Sequence, residues 1–246
     1  MSGHSKWATI RRKKGALDAK RGKQFTTIIK EIQIAARDGG GDEAANPRLR
    51  TAIASAKAVN MPNDNIKKAI LRGTGELPGI NYEEVSYEGY GPGGVAIMVE
   101  CLTDKKQRTV AEVRHLLSKY NGSLAENGAV SWMFTEKGII HFDPDKIEED
   151  VLMEHVLESG ADDMVKEDDF FEVVCSPRDL HSVQEYFDKK EITYESAEIA
   201  KVPQNTVKVE GKDVNTLMKL MEALDDSEDV LKVWANFHID DADLEE

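Results

Sequence analysis

The side chains that could do chemistry are mostly in the wrong pattern for it. His4, His115, His141, His155, His181 and His238 include no His-Glu-x-x-His pair and no two at metal-ligand spacing on one helical face, so ordinary surface or core roles are expected. Cys101 and Cys175 stand alone in apolar surroundings, which predicts buried, reduced thiols rather than a redox or zinc motif. Gly-x-Ser-x-Gly is absent. Asp143 and Asp145 start like a calcium loop, but Ile147 stands where a third oxygen ligand belongs and Glu148 where the turn needs glycine. Gly39 to Gly41 lacks the Gly-x-x-x-x-Gly-Lys-Ser/Thr spacing of a phosphate loop, and Gly91 to Gly94 lies between strands, so both read as turns. Acidic pairs such as Glu148-Glu149, Asp162-Asp163 and Asp225-Asp226 read as solvated faces. No enzyme, no cofactor and no metal is expected.

A dense set of cations points elsewhere. Lys6, Arg11, Arg12, Lys13, Lys14, Lys20, Arg21 and Lys23 crowd the N-terminal stretch together with Trp7 and the hydroxyls of Ser2, Ser5 and Thr9. Lys and Arg neutralise phosphates and release counterions, hydroxyls donate to phosphate oxygens, and an indole stacks on an unpaired base. Arg48, Arg50, Lys67 and Lys68 extend the candidate nucleic-acid-binding set, and Lys30, Lys57 and Arg72 are expected on the same outward faces. The whole chain carries a net charge of -14, which taken alone argues against a polyanion partner. The average hides a division: up to Leu77 there are 16 basic and 7 acidic residues, against 16 and 39 in the remainder. That asymmetry of +9 against -23 flags nucleic acid, the competing reading being a basic tail tethered to the chain's own acidic domains.

The elements that must position these cations follow from periodicity. Residues 1 to about 21 hold too few large apolar residues for a core and read as an arm or a loosely docked helix. A helix with Phe25, Ile28, Ile29, Ile32 and Ala36 on one face ends at Gly39 to Gly41; a second opens with Asn46 as cap and Pro47 at its first position; a third follows Pro62, capped by Asn63 or Asp64. After the glycine-rich linker 73–79, strand period begins at Val85 and Tyr87. A strand from Val95 to Cys101, a helix capped by Asp104 and a strand with Val130, Trp132 and Phe134 complete an α+β layer. A second α+β unit runs strand Ile139 to Phe142, helix Ile147 to Glu158, strand Phe170 to Cys175, helix from Pro177 to about Lys189, strand Tyr194 to Ile199. The tail adds a helix with Val214, Leu217, Met221 and Leu224 inward and a strand with Val233, Ala235, Phe237 and Ile239 on one face. The expected fold is α+β multidomain: an N-terminal three-helix domain (1–77), a discontinuous α+β, ferredoxin-like domain (80–135 and 206–240) and a second one inserted in it (136–205). No apolar segment follows the basic N-terminus, and no run approaches the roughly 20 apolar residues of a membrane span, so a cytoplasmic protein without membrane contact is expected.

Five ordered motifs carry a resemblance. Gly3-His4-Ser5-Lys6-Trp7, Asp18-Ala19-Lys20-Arg21-Gly22-Lys23, Asn46-Pro47-Arg48-Leu49-Arg50, Tyr87-Glu88-Gly89-Tyr90-Gly91-Pro92-Gly93-Gly94 and Arg108-Thr109-Val110-Ala111-Glu112-Val113-Arg114 resemble the YebC/PmpR family over the whole length. The resemblance implies a helical domain followed by two α+β domains, one inserted in the other; it does not imply an active site. It also implies one of two roles: a DNA-binding probable transcriptional regulator, or a factor on ribosomal RNA that eases stalled synthesis, as in the related mitochondrial translational activators of cytochrome c oxidase. No segment reads as a convincing helix-turn-helix.

Overall fold

The computed structural model describes residues 17–166 and 170–240, with side chains from Gly22 onward. The cationic stretch from Lys6 to Lys14 therefore lies outside the described residues. In chain order the helices are α1 (Leu17–Gly39), α2 (Pro47–Ala58), α3 (Asn63–Gly73), α4 (Lys106–Lys119), α5 (Glu149–Ser159), α6 (Leu180–Lys189) and α7 (Lys212–Asp226). The strands are β1 (Glu83–Tyr90), β2 (Ala96–Thr103), β3 (Ser123–Leu124), β4 (Phe134–Phe142), β5 (Asp163–Lys166), β6 (Phe171–Cys175), β7 (Ser196–Pro203), β8 (Val207–Lys208), β9 (Val230–Ala235) and β10 (Phe237–His238). The described residues fall into two compact units, one of 17–130 with 209–233 and 239–240, the other of 131–166, 170–208 and 234–238.

In the first unit the apolar stripe of α1 behaves as its 3.6-residue period dictates. Ile32, Ala35 and Ala36 are buried against Leu49, Ala52, Ile53 and Ala56 of α2 and Ile66 and Ala69 of α3, with Phe25, Ile28 and Ile29 at the margin. Gly73 allows α3 to close on α1, since a Cβ there would sit 2.4 Å from the carbonyl oxygen of Gln33. The start of α2 is built as its residues predict. The Leu49 amide donates to Asn46 Oδ1 (3.1 Å) and Pro47 occupies the first turn. Asn46 also donates from Nδ2 to the carbonyls of Ala35 (2.7 Å) and Gly40 (2.8 Å), so one buried amide caps α2 and ties it to the end of α1. Asn46→Ala is expected to lower stability by about 2–4 kcal/mol, because it removes a cap and strands a buried carbonyl. A urea melt of the full chain measures it.

Two expected caps are corrected. Neither Asn63 nor Asp64 caps α3: Pro62 holds the cap position without a side-chain bond, its carbonyl taking the amides of Asn65 and Ile66. Asp104 does not cap α4. Its carboxylate accepts from Arg108 (2.8 Å), while Thr103 Oγ1 accepts the Lys105 amide (2.9 Å). Leu17 to about Arg21, the end of the stretch read as an arm or a loosely docked helix, is the start of α1.

The first sheet has the order β3-β1-β2-β9, with β1 antiparallel to both β2 and β3. The turn between β1 and β2 needs positive φ at Gly93 (72°) and Gly94 (79°), which glycine adopts at little cost. In α7, Val214, Leu217, Met221 and Leu224 are all buried, as the helical period predicts.

In the second unit, β4-α5-β5-β6-α6-β7 form a ferredoxin-like layer of order β5-β6-β4-β7, each neighbouring pair antiparallel. Ile140, Phe142, Leu152, Val156, Val173, Val183 and Phe187 fill its core, with Phe187 edge-on to Phe142. The strand expected through Val130, Trp132 and Phe134 is corrected. Ser131–Met133 is a 3-10 turn, Trp132 is 64% exposed, and a single strand then runs Phe134–Phe142. The reason lies 40 and 42 positions back in the chain: the Glu88 carboxylate accepts the amides of Gly128 and Val130, both at 2.7 Å, which satisfies backbone that a sheet neighbour would otherwise take. Helix α6 starts at Leu180 rather than Pro177, after a turn in which Asp179 N donates to Ser176 O (3.0 Å).

Candidate nucleic-acid interface

The described cations of the helical region divide by what already holds them. Lys67 and Lys68 of α3 are exposed and have no ion pair or hydrogen bond from their side chains among the described residues, and Arg72, one turn beyond Lys68, is the same. Lys57 is exposed, with Glu43 3.9 Å away. Arg50 is half-buried and donates to the carbonyls of Glu43 (3.3 Å) and Ala44 (2.8 Å), bracing the loop before α2. Lys23 is half-buried on α1, and the backbone of Lys20 and Arg21 lies in the same helix. Lys6, Trp7, Arg11, Arg12, Lys13 and Lys14 lie outside the described residues.

Arg48 is engaged within the fold. Its Nε donates to Glu31 Oε1 (2.8 Å) and its Nη2 to Glu84, linking α2 to α1 and to the start of β1. Burial works against the charge, yet these two carboxylates outweigh it and hold the guanidinium pKa above its ordinary value.

Lys30 corrects the expectation of an outward cation. It is 6% exposed, and its three ammonium protons meet Asp229 Oδ1 (3.0 Å), Leu102 O (3.1 Å) and Glu228 O (3.0 Å). Asp229 is 5% exposed; its other oxygen accepts from Arg108 (2.7 Å) and has the hydroxyls of Thr109 and Thr103 at 2.9 and 3.2 Å. Burial pushes the Asp229 carboxyl up, but hydrogen bonds from Arg108, Lys30 and Thr109 outweigh burial and leave its pKa below the usual carboxylate value. The network joins α1, β2, α4 and the loop before β9.

A cleft of about 200 Å³ opens beside this network. It is walled by α1, the end of α3 and the linker to β1, with Gln33, Arg72, Leu77, Ile80 and Tyr82 in its lining. Arg37 donates to Asn81 Oδ1 (2.9 Å) and to the Tyr82 carbonyl, holding the linker against α1. Lys30 Nζ lies 5.3 Å from the centre of the Tyr82 ring.

The second unit contains a line that sequence spacing does not reveal. His141 Nδ1 is 3.1 Å from Ser196 Oγ and Nε2 is 3.1 Å from Glu172 Oε2. A hydroxyl, an imidazole and a carboxylate in series are the parts of nucleophilic catalysis. Strand register alone accounts for their meeting, since His141 is the ladder partner of Glu172 on one side and of Ser196 on the other. Cys101 and Cys175 are buried free thiols, and burial, its largest cause, raises their pKa to about 12 and about 11, so neither is a ready nucleophile. Among the described residues no group of three or more His, Cys, Asp or Glu side chains could hold a metal ion, and no helix is long and apolar enough to cross a membrane.

The fold is thus a helical region followed by α+β layers, with unpaired cations presented by α3. Comparison with known proteins makes the assignment specific. The family model described as TACO1/YebC protein N-terminal domain matches residues 5–76, and that described as TACO1/YebC second and third domain matches residues 82–237, so the chain belongs to the TACO1/YebC family. Similar curated relatives include a probable transcriptional regulatory protein of Syntrophobacter fumaroxidans, 55% identical over 100% of this chain and 99% of its own length. Another with that name, from Geobacter sulfurreducens, is 54% identical over 100% of this chain and 99% of its own. Among solved structures, the crystal structure of a conserved hypothetical protein, Aq1575 from Aquifex aeolicus, is similar with a TM-score of 0.84 and 43% identity, covering 91% of this chain and 93% of that one.

Proposed function

We propose that this chain is a non-enzymatic regulator of transcription that binds DNA through its basic N-terminal region. The observation that carries the reading is the charge division, +9 up to Leu77 against -23 beyond it. Lys6, Arg11, Arg12, Lys13, Lys14, Lys20, Arg21 and Lys23 supply the main phosphate contacts, and Lys67 and Lys68 extend them on α3. Arg48 and Arg50 act by holding the helical domain in shape, as their present partners suggest. The name carried by the relatives, probable transcriptional regulatory protein, supports the regulatory part.

A second reading, RNA on the ribosome, is favoured by Trp7 among the cations, because an indole stacks on unpaired bases rather than on a closed duplex. In either case the chain works as three modules, 1–77, 80–135 with 206–240, and 136–205, of which the first makes the contact. Titration of the full chain with duplex DNA and with a ribosomal RNA fragment at about 50 and 200 mM salt tests the proposal. Affinity is expected to fall by on the order of a hundredfold or more across that range. Binding that ignores salt, or no binding to either, contradicts it.

A further inference from the structure

Gln33 of α1 is 7% exposed, lines the cleft beside the linker, and has no hydrogen-bond partner for its side-chain amide among the described residues. Its amide atoms are not sealed from solvent, so the cleft leaves a donor and an acceptor open to a ligand, whereas the Asn46 amide in the same helical region is spent on the fold. The surroundings indicate what would bond it. Leu77 and Ile80 offer apolar surface and Tyr82 a ring, in a space of about 200 Å³ that is smaller than the roughly 300–1,000 Å³ of sites for drug-sized ligands and suits one flat ring system. Arg72 lines the same cleft, is exposed and has no ion pair or side-chain hydrogen bond among the described residues, and Lys68, one helical turn before it, has none either. An amide presents a donor and an acceptor side by side, which is the complement of a base edge, and the two cations suit phosphates on either side of it.

We propose that this cleft binds one unpaired nucleotide of a single-stranded nucleic acid. Gln33 bonds the base edge, Leu77 and Ile80 pack on the ring, and Arg72 and Lys68 hold the flanking phosphates. The inference rests on the nucleic-acid reading above and adds to it a base-dependent contact separate from the arm. A free mononucleotide has the same chemistry, so the test distinguishes the two sources.

Fluorescence anisotropy of the full chain is measured with four probes: a single strand of about 12 nucleotides, the same strand made wholly abasic, the matched duplex, and AMP as competitor. The native chain is expected to bind the intact strand about tenfold more tightly than the abasic one, because base contacts add to phosphate contacts. Gln33→Met keeps the volume and removes the amide; Ile80→Asp changes a residue 56% exposed and outside the core. Each is expected to bring the ratio below about threefold while the abasic strand binds as before. Circular dichroism of both variants confirms that they fold. Equal affinity of the native chain for intact and abasic strands, or an unchanged ratio in both variants, overturns the site and leaves the arm's role standing. AMP binding as tightly as the strand overturns the strand as ligand. No binding to any of the four probes overturns the nucleic-acid reading and this site with it.

Discussion

Replacing Arg11, Arg12, Lys13 and Lys14 together by alanine is expected to lower affinity for duplex DNA by on the order of a thousandfold near physiological salt. The magnitude follows from counterion release. Each phosphate contact contributes about -0.9 to the slope of log affinity against log salt, so four lost contacts flatten the slope by about 3–4 units. A structural role for these residues gives a different signature: the unfolding midpoint would move and the salt slope would stay. Titrations at four salt concentrations, with a thermal melt of the same variant, separate the two. The competing picture, in which the cations are tethered to the chain's own acidic domains, predicts that their removal leaves both affinity and slope unchanged.

Asp229→Ala is expected to destabilise the first unit by about 3–5 kcal/mol, which is the cost of leaving a buried charge without its partner. Lys30 would keep two carbonyls but lose its counterion, and Arg108 and two threonine hydroxyls would lose their acceptor. Lys30→Met should be costly by itself, and the double variant should cost less than the two single changes added together, as coupled neighbours do. The network also sets a pH dependence. Because the folded carboxyl titrates below its unfolded value, its contribution is complete above about pH 4 and is lost as pH falls through the lowered folded pKa. Asp229→Asn is therefore expected to flatten the acid limb of the stability profile. Urea melts from pH 2 to pH 7 measure both effects.

The parts of the fold that were legible in the sequence are those decided within a few residues. Asn46-Pro47 carries its own start signal, and the stripes of α1 and α7 state which face is buried before any partner is known. The misreadings share a cause. Lys30 has the composition of a solvent-facing lysine, and what buries it is a carboxylate 199 positions away. Val130, Trp132 and Phe134 alternate like a strand, but Glu88 captures the amide of Val130 and turns the chain. His141, Glu172 and Ser196 meet only because strand register sets them side by side. The candidate interface was legible as charge and illegible as geometry. Nothing in the sequence separates Arg48, held by Glu31 and Glu84, from Lys68, which has no ion pair among the described residues, and nothing marks Gln33 as an amide open to a cleft.

The central claim is that the basic N-terminal region holds a nucleic acid, with DNA as the ligand of the proposed regulator. Ultraviolet crosslinking of the full chain in cells, followed by sequencing of the attached nucleic acid and mapping of the crosslinked peptide, tests it most directly. The account predicts DNA from a limited set of promoter regions, attached to peptides within residues 1–77. Ribosomal RNA on those same peptides would transfer the role to the ribosome and keep the interface; recovery of no nucleic acid, or attachment only to residues beyond 80, would contradict the account.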